Sequence, residues 1–407
     1  MARPGWLFLD MNAFFASCEQ QADPDLRGRP VAVVPTMVET SCVIAASYEA
    51  KVFGVRTGTG VAEARRLCPS IRFVEANPER YRDFHWQITD AVDKVVPVTN
   101  VLSVDEMVCQ LWVNESKLWQ SLRLGQDIQR VISDQVGDWL TCSVGIAPNG
   151  FLAKVASDFQ KPRGLSVVMM DDLPRKMYGL ALTDWPGIST RMEKRFKLAG
   201  IHTTEHMYAM SYADMRRVWG GIVGERWWRM LRGENVPLPA TKRGQFGHSS
   251  VLAPELRTRA GAKAAGARLL ERAAERMRFH RYHARRLAIR VSSFDGQSWT
   301  KQIRMTATND TWHLLKAFDM IWEDWIRTPS EVSISLCDVL PSRNVTGNLF
   351  EVDRSVIWGS VDALNAKYGR TTIVTAAGLP AKKYSPERIP FGNIDTIYRP
   401  ASMSQAL

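Results

Sequence analysis

The stretch Trp6-Leu7-Phe8-Leu9-Asp10-Met11-Asn12-Ala13-Phe14-Phe15-Ala16-Ser17-Cys18-Glu19 decides how the rest of the chain is read. Trp6 to Leu9 is a short continuous apolar run, the pattern of a buried strand, and it ends on an acid at Asp10. Asn12 to Glu19 then reads as the start of a helix. Working outward, Val31 to Val34 is a second short strand bounded by Pro30 and Pro35. Thr99 to Val113 is β-rich and carries Ser103-Val104-Asp105-Glu106 inside it. Cys142 to Ala147 is a strand and Phe151 to Phe159 a helix. Mixed α/β structure is therefore expected up to about residue 168.

Beyond it the texture changes. Residues 172–236 read as short helices punctuated by glycine, at Trp185-Pro186-Gly187-Ile188-Ser189 and at Gly220-Gly221-Ile222-Val223-Gly224. Backbone N–H groups at such helix starts suit a phosphate. Val236 to Pro239 with Lys242-Arg243-Gly244 reads as a linker. Ala264 to Met277 is an amphipathic helix in which Arg268, Arg272 and Arg276 recur on one face. Leu287, Ile289 and Val291 alternate with Arg286 and Arg290, the pattern of a strand with one buried and one basic face. Strand, helix and strand follow over 299–306, 314–326 and 332–336, a small α+β unit.

The whole chain has 407 residues and a net charge of +11, with 45 % hydrophobic and 23 % charged residues. Such a chain is too long for one ordinary core and too apolar for wholesale disorder. No run approaches the roughly 20 apolar residues of a membrane span, and the early acid at Asp10 does not suit a signal peptide. Six scattered cysteines form no C-x-x-C pair, which argues against a zinc ribbon or disulfide framework and fits a reducing cytoplasm. The charge is concentrated. Residues 257–290 net +9 and residues 191–243 net +6, so the remainder sums to −4. Two neighbouring basic segments in different structural contexts point to a nucleic-acid track.

Three carboxylates carry the candidate chemistry: Asp10, then Asp105 and Glu106 about ninety-five positions later. Two divalent ions need several oxygen ligands from different chain segments, and Mg²⁺ is satisfied by a few carboxylates plus phosphate and water. In an ideal strand Asp105 and Glu106 point to opposite faces, so both reach one site only if the strand bends there.

At this point the resemblance is specific. Asp10 to Glu19 resembles the N-terminal motif of the Y-family (translesion) DNA polymerases, and Ser103 to Glu106 their second catalytic motif. Ser47-Tyr48-Glu49-Ala50-Lys51 with Phe53-Gly54-Val55-Arg56 is similar to their finger segment, and Ser143 to Gly164 to their third motif. The four stand in family order, between the polymerase IV and polymerase V branches. The resemblance implies an α+β multidomain right-hand polymerase. Its parts would be a palm at 1–168 with small fingers inserted at about 20–76, a helix-hairpin-helix thumb at 169–236, a linker at 237–243, an α+β little finger at 244–340 and a C-terminal tail at 341–407.

It also implies roles. Asp10, Asp105 and Glu106, with the carbonyl of Met11, would bind two Mg²⁺, or Mn²⁺ in its place. Phe15 matches the steric gate beneath the sugar, with Phe14 beside it, although an aromatic in a helix is ordinarily core. Tyr48, Lys51 and Lys161 match triphosphate contacts. Gly187, Ser189, Gly221 and Gly224 in the thumb, and Arg286 and Arg290 in the little finger, would meet the DNA backbone. Leu349 and Phe350 resemble the anchors of a sliding-clamp docking peptide whose leading Gln and Leu are absent. The implied partners are primer–template DNA, dNTP, the clamp and other DNA-damage-response proteins, with no membrane, in the cytoplasm of a bacterium and on its nucleoid. Lys51 stands where Arg is usual, Asn12 where a second Asp is commoner, and Gly150 where many members have Lys; none removes a metal ligand. The reading is thus a low-fidelity template-directed polymerase. The alternative is a non-catalytic polymerase-like adaptor of a mutagenesis complex, but such proteins have lost the carboxylates. A two-metal nuclease would not call for Phe15, Tyr48 and Lys161.

Overall fold

The computed structural model describes residues 4–237, 243–346, 354–369 and 372–384. These fall into two compact units that part at the 237–243 segment.

The first unit is built on a five-stranded sheet. Its order is Asn100–Val101, Glu106–Gln110, Trp6–Met11, Cys142–Ala147 and Leu165–Val167, antiparallel except for the last pair. The apolar run that opens the chain is its central strand, covered on both faces. Leu7 and Leu9 pack with Met107, Cys109, Val144 and Ile146 against Ile88, Val92, Ile128 and Ile132 of two long helices, Pro78–Asp93 and Leu118–Gln135. Phe8, Val108 and Ala147 point the other way, onto Leu152, Ala153 and Ala156 of the helix Gly150–Ser157. That helix lies unusually close to the sheet. A Cβ on Gly145 would sit 2.0 Å from the carbonyl oxygen of Ala153, so only glycine allows the approach.

A three-stranded sheet, Val31–Val34 between Ala45–Ala46 and Arg72–Glu75, forms a small subunit with its own core of Val43, Ala50, Val55, Ala64 and Ile71. Four short helices, Thr190–Leu198, Thr204–Ala209, Tyr212–Trp219 and Ile222–Leu231, gather around Trp185, Phe196, Met215 and Trp227. Their apolar cluster is continuous with the Phe8 face of the main sheet.

The second unit is a four-stranded antiparallel sheet ordered Ser298–Thr308, Tyr282–Ser293, Pro329–Cys337 and Gln245–Val251. Leu287, Ile289, Val291, Ile334 and Leu336 face the helices Arg259–Phe279 and Thr311–Ile321. The unit does not stop near residue 340. The helix Ser355–Tyr368 is fixed to it by a two-pronged Arg278–Asp362 pair at 2.7 and 2.8 Å, and by Trp358 Nε1 donating to Asp310 Oδ1 at 2.7 Å. Ala381 closes part of its core. The stretch expected as a tail thus contributes a helix to the domain. Among the described residues no helix is long and apolar enough to cross a membrane.

Candidate active site

Asp10 lies at the end of the central strand. Its direct cross-strand neighbours are Glu106 on one side and Ser143 on the other. Residues directly opposite in an antiparallel pair share a face, so register alone puts the carboxylates of Asp10 and Glu106 on one side of the sheet. Asp105 is handled differently. The strand begins only at Glu106, and Leu102 to Asp105 form a bend whose Leu102 and Ser103 N–H groups donate to Glu106 O. The bend frees the Asp105 side chain from strand alternation. Ser103 Oγ donates to Asp105 Oδ1, Met11 N–H donates to Asp105 O at 2.9 Å, and buried His85 hydrogen-bonds through Nδ1 to the carbonyl of Val104 at 2.8 Å. A carbonyl only accepts, so Nδ1 carries the proton.

Asp10 and Asp105 open onto a cavity of about 290 Å³ lined also by Met11, Phe14, Phe15, Ile44, Ala45, Ala46, Tyr48, Lys51 and Lys161. Every residue expected to touch the nucleotide is therefore gathered at one place. Phe15 is 6 % exposed and stacks on Tyr81, with ring centroids 4.4 Å apart and planes at 15°. Tyr48 and Lys51 come from a single helical turn capped by Ser47, with the Lys51 ammonium 4.2 Å from the Tyr48 ring centroid. Lys161 reaches in from the loop after Asp158, 2.9 Å from Asp10 Oδ2 and 2.7 Å from Asp158 Oδ1.

The charges are under stress. Burial raises the Asp10 carboxyl to about 6 against the pull of Lys161, and Asp105 adds to the rise. Burial likewise raises Asp105, opposed by the Ser103 hydrogen bond and reinforced by Glu106. Lys51 is lowered by burial and by the nearby Lys161 charge. For Lys161 burial works downward, but Asp10 and Asp158 outweigh it and hold the ammonium firmly charged.

One residue of the site escaped the sequence reading. Lys154, on the closely packed helix Gly150–Ser157, pairs with Glu106 Oε1 at 2.5 Å and lies 5.4 Å from the Phe8 ring centroid. Its only sequence signal was its place within the third motif. With Lys154 on Glu106 and Lys161 on Asp10, no three acidic, histidine or cysteine side chains among the described residues are drawn together closely enough to hold a metal. The donor chemistry nevertheless fits a hard cation. Two carboxylates pushed up by burial, Asp10 with a contribution from Asp105 and Asp105 with one from Glu106, are groups that a divalent ion would relieve, and all the donors are oxygen.

The expected DNA contacts divide. Gly187 and Ser189 are exposed at the start of Thr190–Leu198, and Ser189 makes no side-chain cap, so that helix keeps its first N–H groups open. Gly221, at φ +136, starts Ile222–Leu231 in the same way. Gly224 serves packing instead: it is buried, its N–H donates to Gly221 O, and a Cβ there would come 2.3 Å from Met215 O. In the second unit the open sheet face carries Arg286, Arg290 and Arg304 over a floor of Gly247, Ser249, Ser333 and Ser335. Arg290 and Arg304 are exposed, whereas Arg286 is held by Asp338 at 3.1 Å and by Gln302.

The basic segment 257–290 is less of a grip than its charge suggests. Arg268 is 3 % exposed and paired with Glu271, Arg276 donates to Gly247 O, and Arg278 is spent on Asp362. Leu349 and Phe350 lie outside the described residues.

The first unit thus gathers carboxylates at one end of its main sheet, with the small, separately cored three-stranded sheet beside the cavity they open onto. Residues 9–158 match the impB/mucB/samB family, and residues 243–346 match the C-terminal domain of that family. DNA polymerase IV of Moorella thermoacetica is 31 % identical over 389 residues, 92 % of this chain and 96 % of the relative. DNA polymerase IV of Stenotrophomonas maltophilia is 38 % identical over 229 residues, 56 % of this chain and 63 % of the relative. Among solved structures, a Y-family DNA polymerase chimera of Dbh and Dpo4 matches with a TM-score of 0.68 at 21 % identity. An insertion ternary complex of Dbh DNA polymerase matches at 0.56 and 20 %; each comparison covers 83 % of this chain and 99 % of the other. The chain belongs to the Y-family translesion DNA polymerases, which are DNA-directed DNA polymerases.

Proposed function

We propose that the chain copies a DNA template with low fidelity, across lesions as well as intact bases, by two-metal transfer of a nucleotide from dNTP to a primer 3′-hydroxyl. The observation that carries this reading is the single cavity bringing Asp10 and Asp105 together with Phe15, Tyr48, Lys51 and Lys161. Asp10, Asp105 and Glu106, with the carbonyl of Met11, would hold two Mg²⁺, or Mn²⁺. The bound ions would lower the pKa of the primer hydroxyl and neutralise the triphosphate and departing pyrophosphate.

The protein's own groups do the rest. Lys161 exchanges Asp10 for phosphate, and Lys51, its ammonium over the Tyr48 ring, takes further phosphate oxygens from the fingers side. Phe15, braced by Tyr81, forms an apolar wall for the sugar. Ala45 and Ala46 offer the base pair a lining of small side chains, which suits tolerance of damaged templates. Exposed Arg290 and Arg304, with the open helix starts at Ser189 and Gly221, supply sequence-independent backbone contacts. The intact carboxylates speak against the adaptor reading.

Primer extension with Mg²⁺, four dNTPs and intact or lesion-bearing templates tests the proposal. Wild type should extend both. Asp105→Ala should lose incorporation while keeping DNA affinity within about twofold. Absence of wild-type extension where DNA binding is demonstrated would sink the reading.

A further inference from the structure

Asn12 lies two residues beyond Asp10, is 1 % exposed, and has no part in the chemistry above. Its backbone N–H donates to Thr141 O at 2.8 Å and its Nδ2 to Thr141 Oγ1 at 3.1 Å, fixing the carboxamide plane. Its carbonyl oxygen accepts from buried Ser17 Oγ at 2.7 Å. The side-chain Oδ1 is thereby aimed at two hydroxyls. It accepts from Ser143 Oγ at 3.0 Å and from Tyr48 Oη at 3.4 Å. Ser143 Oγ in turn accepts from Gly164 N–H at 3.4 Å, at the end of the loop that carries Lys161. One carboxamide oxygen thus ties together the finger residue and the palm loop that face the nucleotide cavity from opposite sides.

We propose that Asn12 is a positioning residue that holds Tyr48 and the Lys161 loop in register for the incoming triphosphate; this rests on the polymerase reading. A buried polar oxygen with two hydroxyl donors is the type of network whose members act as a unit. An amide does this without a second anion beside Asp10 and Asp105, and its Nδ2 gives Thr141 a donor that a carboxylate lacks.

The test is a double-mutant cycle on dNTP binding. The dNTP dissociation constant is measured on the complex with template and a dideoxy-terminated primer, and KM and kcat are measured on an extendable primer. Asn12→Leu and Tyr48→Phe should each weaken dNTP binding about fivefold. In Asn12→Leu, kcat should stay within about twofold and DNA affinity should be unchanged. The double variant should bind dNTP no more weakly than the worse single one. Asn12→Ala, which leaves space rather than a clash, must behave like Asn12→Leu and serves if the latter does not fold. Effects that multiply in the double variant, or a fall in kcat and DNA affinity alongside dNTP binding, would overturn the inference and leave the polymerase reading standing. A wild type that neither binds dNTP nor extends a primer would take both down.

Discussion

Phe15 faces two demands, and its replacement separates them. The ring is nearly buried, stacked on Tyr81 at 4.4 Å and tilted against Phe14 at 5.8 Å, yet it also lines the nucleotide cavity. As core, Phe15→Ala should cost about 3–5 kcal/mol of stability, the usual range for deleting a buried aromatic. That is tolerable within a total of roughly 5–15 kcal/mol, and the protein should remain folded but melt lower. As gate, the ring meets a sugar that either has or lacks a 2′-hydroxyl. A fixed apolar wall rejects one added hydroxyl by a factor of about 10². Removing the wall should therefore lower the dNTP-to-rNTP ratio of kcat/KM by up to about 10², or about 2.7 kcal/mol of transition-state discrimination. Stiffness matters to this, so Tyr81→Leu, which leaves Phe15 but removes its brace, should erode the ratio less than tenfold. The assay is single-nucleotide extension with dCTP and with CTP opposite guanine, alongside a thermal melt of each variant. A folded Phe15→Ala enzyme with an unchanged ratio would show that the ring is core alone and that the sugar lies elsewhere.

Two other perturbations test the frame around the site. His85 is buried, its Nδ1–H spent on Val104 O, its Nε2 without a partner, and burial holds its pKa below the ordinary value. At acid pH the unfolded chain therefore binds a proton that the folded one resists. Stability should be fully present above the unfolded value near 6.5 and should fall as pH drops below it toward the lowered folded value. Asp10, raised to about 6, works in the opposite sense over the same window, so the His85 contribution is read as a difference: between pH 7.5 and 5.5 His85→Leu should lose less melting temperature, or gain more, than wild type, while lowering stability at pH 7.5; an unchanged slope would show that His85 does not contribute to it. On the second unit, Arg290→Ala and Arg304→Ala should each weaken DNA binding alike on unrelated sequences and reduce the salt slope by about 1. Arg286→Ala should do less, because that guanidinium is already engaged by Asp338. Equal losses at all three positions would refute the assignment of the free arginines.

Legibility in the sequence followed the range of the interaction. The strands Trp6–Met11 and Cys142–Ala147 were readable because apolar runs bounded by polar residues declare themselves locally. The helix Leu118–Gln135 was not, because its inward stripe is Ser121, Gly125, Ile128 and Ile132 and only half of it is apolar. A Cβ at Gly125 would come 2.6 Å from a terminal methyl of Leu165, in the strand Leu165–Val167, a packing fact that belongs to the sheet and not to the helix. The strand Gln245–Val251 was equally silent, with a single fully buried side chain, Phe246.

By itself the sequence determined the acids, the aromatic at Phe15, the basic loop residue Lys161 and their order along the chain, because chemistry at these positions depends on residue type. Only the tertiary structure decided what each of them touches. Cross-strand register set Asp10 opposite Glu106, the bend at Asp105 released the third carboxylate, and the close approach at Gly145 delivered Lys154 to Glu106. Arg278 and Arg290 are alike in sequence, but one meets Asp362, eighty-four residues away, and the other faces solvent. A charge becomes a grip on DNA or a clamp within the fold according to its partner, and local periodicity carries no record of partners that distant.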